Sequence, residues 1–296
     1  MIIKYLEELI KNEKKQNTSN LYIRNKIKEY LQILILEYLY TSNKYKSDLI
    51  FTGGTCLRHI YGIERLSEDL DFDLINNLNT EKLAEDINNY FSIQMKYTDL
   101  NISIKQKGEQ ILFKFPCLQK LNLATKNESN LLYIKMDLEK IQGKNFKTEK
   151  TSKNIFGSNF VALHYNLPTL FAGKINAILT RNLLVGKDNA KTIKGRDFYD
   201  LLWFLKNDIK INLAFLREKL NKDIDIEDLE KELNKKVLLA TTKFKNEFEN
   251  DLLPFISNQE FIDDYIQNYK DEFDRYTLIE DKLYLLKNFH DIFVSP

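Results

Sequence analysis

The chain has 296 residues, of which 43% are hydrophobic and 29% charged. That balance suits a folded globular protein with a full core and argues against disorder. Two cysteines, Cys56 and Cys117, stand at no metal-type spacing from each other or from His59, His164 and His290, so neither a zinc site nor a disulfide framework is expected and a reducing cytoplasm is the natural setting. Charge and hydropathy also predict no membrane segment: Lys4, Glu7 and Glu8 interrupt the N-terminus, and Glu37 interrupts the most apolar run, YLQILILEYLY.

In chain order, apolar spacing near 3.6 predicts helices over 1–13 and 20–41, separated by the polar NTSN. The run Leu49-Ile50-Phe51 then ends in Thr52 and the pair Gly53-Gly54, followed by TCLRHIYG, which reads as buried strand, tight turn and short helix. Residues without a Cβ let backbone N–H groups approach a bulky ligand, and a helix start favours an anion such as phosphate. The bland alternative is an ordinary glycine turn. In Asp69-Leu70-Asp71-Phe72-Asp73 the acids alternate with apolar residues, so a strand would turn all three carboxylates to one face. Such a row suits a hard divalent cation, Mg²⁺ first and Mn²⁺ next; the alternative is a solvated sheet face.

A helix is predicted from Thr80 as N-cap, with Leu83, Ile87 and Phe91 on one side. Strands are predicted over 101–105, 111–116 and 131–139, the last placing Asp137 and Glu139 on one side at its end. Residues 140–154 read as a basic connection. The +1 net charge hides an asymmetry: Lys105 to Lys153 holds eleven lysines against five acids, whereas Glu218 onward holds eleven basic and nineteen acidic residues. The first stretch is suited to a polyanion, or is a set of solvated lysines. The second half is read as helical: Thr169 to Arg181 with Thr169 as N-cap and Lys174 and Arg181 on one stripe, Lys194 to Leu205 with Asp197 and Asp200 one turn apart, and amphipathic helices over 207–296, among them 225–248.

The run GGTCLRHIYGIERLSEDLDFDL resembles the AbiEii family of nucleotidyltransferase toxins, within the DNA polymerase β-like superfamily, and YNLPTLFAGKINAILTR and KGRDFYDLLWF resemble that family's third and fourth motifs. The resemblance implies an α/β fold: a small mixed-sheet nucleotidyltransferase core with flanking helices over 1–164 and a helical lobe over 165–296 completing the nucleotide cleft. It implies phosphates over Gly53, Gly54 and Thr55, neutralised by Lys174 and Arg58, with Arg65 and Ser67 anchoring phosphate or metal-site geometry. Asp69, Asp71 and Asp137, with Glu139 as second choice for the last, would hold the metal; Lys174 would contact the triphosphate, and Asp197 would be needed for activity. The implied reaction moves a nucleoside monophosphate from an NTP to an acceptor, the 3′ end of tRNA, in a toxin with a cognate antitoxin. The alternatives are a silent nucleotide- or RNA-binding protein and transfer to protein side chains.

Overall fold

A computed structural model describes residues 2–181, 183–185 and 190–276. Seven strands form one mixed sheet in the order β3-β4-β5-β2-β1-β7-β6. They span β1 Leu49–Thr52, β2 Asp69–Leu74, β3 Asn101–Lys105, β4 Gln110–Pro116, β5 Leu131–Lys140, β6 Thr148–Ile155 and β7 Ser158–Tyr165. The centre is mixed: β1 runs antiparallel to β2 and parallel to β7, while β2 runs parallel to β5.

Helix α1 (Ile2–Lys15) buries Ile2, Leu6 and Ile10, a four-residue repeat that makes one apolar stripe. Helix α2 (Asn20–Thr41) is buried on most of its circumference and packs on β7 and β5; Ser19 caps it by accepting from the Tyr22 N–H at 3.2 Å. Leu49, Ile50 and Phe51 of β1 are fully buried, and Phe51 stacks on Phe72 of β2 with centroids 5.3 Å apart. The alternation read from the sequence thus puts Leu70 and Phe72 into the core and leaves the acids of β2 on the opposite face.

Several expectations change in detail. Helix α4 (Thr80–Asn89) is capped by Asn79, whose side chain accepts from Lys82 N at 2.7 Å, while the Thr80 hydroxyl donates to Gly108 O. Residues 140–154 are not all connection, because 148–155 form the edge strand β6. The lysines of 105–153 therefore form no single surface: Lys105 ends β3 at one edge of the sheet, and Lys150 and Lys153 lie on β6 at the other.

The chain folds into two compact units. The first comprises Met1–Gln142, Lys147–Asn166 and Leu253–Asn258. Its last segment is held by the Asn25 amide donating to Pro254 O at 2.8 Å and by Leu66 N–H donating to Phe255 O at 2.9 Å. The second comprises Gly143–Phe146, Leu167–Leu252 and the described residues from Gln259. There Glu218 accepts from Lys144 N and Asn145 N at 2.8 and 3.0 Å, which fastens the short segment. This unit holds α5 Leu167–Thr180, α6 Gly195–Lys206, α7 Leu213–Leu220, α8 Ile226–Thr241, α9 Lys245–Leu252 and α10 Gln259–Arg275, with a hairpin of β8 Leu183–Val185 and β9 Ala190–Thr192. Helix α5 starts two residues before the expected cap Thr169, and 225–248 divides between α8 and α9. His290 and the end of the predicted helical region, 277–296, lie outside the described residues. Among the described residues no helix is long and apolar enough to cross a membrane.

Candidate functional site

The site is built on the turn that leaves β1. Gly53 has φ +74°, and a Cβ there would lie 1.9 Å from Asp71 Oδ2, so the Asp71 carboxylate packs directly on the glycine backbone. At Gly54 a Cβ would lie 2.9 Å from both Arg65 Nη2 and Ser67 Oγ. Each glycine therefore admits a polar side chain to the main chain, a close approach that any other residue would deny. Thr55 is buried, and its hydroxyl donates to the Asp69 carbonyl, tying the turn to β2. The short helix α3 (Gly53–Cys56) runs into a π-helical turn, Leu57–Tyr61, that ends at Gly62 in the left-handed conformation.

Behind the turn, Arg65 is only 2% exposed and its Nη1 donates to Leu66 O at 2.9 Å. The Gln32 amide of α2 donates to Ser67 O, which fixes the segment leading into β2. Arg58 is engaged elsewhere: its Nε meets Glu29 Oε1 at 2.6 Å, and its Nη1 donates to the carbonyls of Ile63 and Glu64 at 3.0 and 2.9 Å. Burial alone would raise the Glu29 carboxyl, but Lys26, Arg58 and His59 outweigh it and hold it below the usual range.

Neighbouring His59 is buried, and its Nε2 has no hydrogen-bond partner among the described residues. Burial pushes its pKa down from 6.5 to about 4, against the pull of Glu29. The unfolded chain takes up a proton on this imidazole below pH 6.5 while the folded chain does not, so stability falls as pH drops from 6.5 to about 4. The expected loss is ~3 kcal/mol in all. Denaturant titrations across that window check it: His59→Leu should flatten the slope, and an unchanged slope would contradict the assignment.

The acidic face follows from strand register. Asp71 of β2 lies opposite Thr52 of β1 on one side and Asp137 of β5 on the other, and Asp69 lies opposite Lys135. Lys135 Nζ is 2.9 Å from Asp137 Oδ2 and 3.4 Å from Asp69 Oδ2. Asp137 Oδ1 also accepts from the Gln110 amide of β4 at 2.8 Å. Asp73 is turned to a different use, accepting from the Tyr165 hydroxyl at 2.6 Å, and Glu139 pairs with it in register. Burial would lower the Lys135 pKa, but Asp69, Asp137 and Asp71 outweigh it and raise it, so the side chain is a firmly held ammonium. Nothing in the sequence reading singled out Lys135, although alternation two residues before Asp137 puts it on the same face.

Among the described residues no group of three His, Cys, Asp or Glu side chains is set to hold a metal ion. The donor chemistry nevertheless fits a hard divalent cation: three carboxylates on adjacent strands, two of them already shared by one positive charge.

The second unit carries the other predicted residues. Lys174 Nζ of α5 lies 2.7 Å from Asp200 Oδ2 and 3.3 Å from Asp197 Oδ1, both on α6. Arg181 Nη1 meets Asp197 Oδ2 at 2.6 Å. Lys194, just before α6, is pushed down by burial and then by Arg196, with Lys174 and Arg181 adding to the repulsion against the pull of Asp197. Asp200 is 0% exposed, so removal of its ammonium partner is costly. Lys174→Met is expected to lower unfolding free energy by ~3 kcal/mol, and Lys174→Met with Asp200→Asn to recover most of it. Denaturant melts measure both, and a single-variant loss under ~0.5 kcal/mol would contradict the pairing.

The first strand of the mixed sheet thus ends in a double glycine against a paired-aspartate strand, which a third carboxylate strand flanks. The family model described as nucleotidyl transferase AbiEii toxin, type IV toxin–antitoxin system, matches residues 35–292, and the chain belongs to that family. It is a nucleotidyltransferase of the toxin class, and a type IV system implies an antitoxin partner. No curated protein sequence matches it. Among solved structures it is similar to MenT4, a nucleotidyltransferase toxin from Mycobacterium tuberculosis H37Rv, at TM-score 0.50 and 13% identity, over 93% of this chain and 95% of that one. It is also similar to JHP933 from Helicobacter pylori, at TM-score 0.47 and 16% identity, over 92% and 98%. At 13% identity the likeness to MenT4 is one of fold.

Proposed function

We propose that the chain transfers a nucleoside monophosphate from an NTP to the 3′ end of tRNA, with Mg²⁺ as its metal, and arrests growth by doing so. The observation that carries the site is the Asp71 carboxylate lying against Gly53 and in register with Asp137, because it joins the glycine turn to an acidic strand pair. In this reading the phosphates rest over Gly53 and Gly54, with the Arg65 guanidinium and Ser67 hydroxyl beside Gly54 as donors and Thr55 bracing the turn. Asp69, Asp71 and Asp137 would hold the divalent ion, which when bound polarises the α-phosphate and lowers the pKa of the attacking hydroxyl. The hydroxyl oxygen forms a bond to the α-phosphorus, the bond to the β-phosphate oxygen breaks, pyrophosphate leaves and the hydroxyl proton passes to Asp137. Arg58 takes no part, since Glu29 and two carbonyls hold it.

The roles that family resemblance gives Lys174 and Asp197, contact with the triphosphate and support of activity, are separate proposals. A raised KM for NTP in folded Lys174→Gln is the expected result for the first. For the acceptor, the test is incubation with each labelled NTP, Mg²⁺ and cellular RNA, followed by sequencing of tRNA 3′ ends. Label on those ends is expected; label on protein alone would move the acceptor to side chains, and no label with any nucleotide would remove the proposal.

A further inference from the structure

On β2 and β5 the acidic face carries Asp69, Asp71, Asp73, Asp137 and Glu139, and Lys135 is the basic side chain set among them by strand alternation. Five carboxylates on two adjacent strands repel one another strongly. Asp73 is relieved by the Tyr165 hydroxyl and Asp137 partly by the Gln110 amide, but hydrogen bonds from neutral donors do not cancel charge. Lys135 does, and it does so across the strand pair: its Nζ touches Asp137 on its own strand at 2.9 Å and Asp69 on the neighbour at 3.4 Å. Those are two of the three carboxylates assigned to the metal, so the ammonium and a divalent ion need the same oxygens. The side chain is half-exposed, and a flexible four-carbon stem lets its head swing out to water without disturbing the strand.

We propose that Lys135 is the built-in counter-ion of the acidic site, bridging Asp69 and Asp137 until a divalent ion displaces it, so that it lowers the enzyme's affinity for the metal. The inference rests on the metal reading of these carboxylates. It gives Lys135 a positioning role: it keeps Asp69 and Asp137 together on the free enzyme and sets how much divalent ion is needed to replace it.

The test is Mn²⁺ binding to the full chain without nucleotide, by calorimetry, together with thermal melts with and without Mn²⁺. Lys135→Met is expected to bind Mn²⁺ about tenfold more tightly, the order expected for removing a nearby like charge from a half-exposed site. It should also melt lower than the parent without divalent ion and gain more from Mn²⁺. Lys135→Arg, which keeps the charge, should stay near the parent and serves if the Met form does not fold; a clear rise in its affinity would overturn the proposal. Equal or weaker binding by Lys135→Met, with Asp71→Asn still lowering affinity, overturns the counter-ion role and leaves the metal reading standing. No Mn²⁺ binding by any form overturns both.

Discussion

Asp71→Asn is expected to lower nucleotidyl transfer about a thousandfold or more, ~4 kcal/mol of transition-state stabilisation, with the fold intact. Asparagine has nearly the same shape, so it fits the slot against Gly53 that the carboxylate fills. What disappears is one negative charge from a face that carries four other carboxylates on β2 and β5, which relieves repulsion. The melting temperature should therefore hold or rise while activity collapses. Single-turnover transfer with labelled NTP, beside a thermal melt, measures both. A rate within tenfold of the parent would contradict the role of Asp71.

Gly53→Ala is expected to fail for a different reason. The alanine methyl would stand 1.9 Å from Asp71 Oδ2, and the backbone there is left-handed at φ +74°, which a side chain disfavours by ~1 kcal/mol. Either Asp71 moves or the turn does, so a stability loss of ~1–3 kcal/mol should accompany an activity loss approaching that of Asp71→Asn. Gly62 provides the control: it shares the left-handed backbone, at φ +79°, but a Cβ there meets nothing within 4 Å. Gly62→Ala should show the backbone cost alone, ~1 kcal/mol, and retain activity. Denaturant titration and the same transfer assay compare the two, and equal activity in both variants would break the link between turn and carboxylate.

The contrast between these glycines marks what sequence could carry. The β2 alternation fixed both the strand, Asp69–Leu74, and its acidic face, because a period of two is a local property. The approach of Asp137 to Asp71 is a matter of register between strands more than sixty residues apart, and only the family resemblance pointed to it. Thr80 and Asn79 are both good caps, and the backbone used the asparagine. The strand β6 leaves no periodic signal in the sequence because an edge strand exposed along most of its length has no apolar face. The motif position of Arg58 suggests phosphate, whereas its ion pair with Glu29, twenty-nine residues earlier, depends on α2 lying behind the turn and is not readable from the motif. The side of β5 that Lys135 occupies follows from alternation, but its partners Asp69 and Asp137 are set by the side-chain geometry of two strands and not by local sequence.

A crystal structure with Mn²⁺ and a non-hydrolysable NTP, read by anomalous scattering from the metal, tests the site most directly. A manganese peak among the carboxylates of Asp69, Asp71 and Asp137 is expected, with phosphate oxygens against Gly53 and Gly54. Manganese bound away from β2 and β5, or a triphosphate seated on another surface, would contradict it.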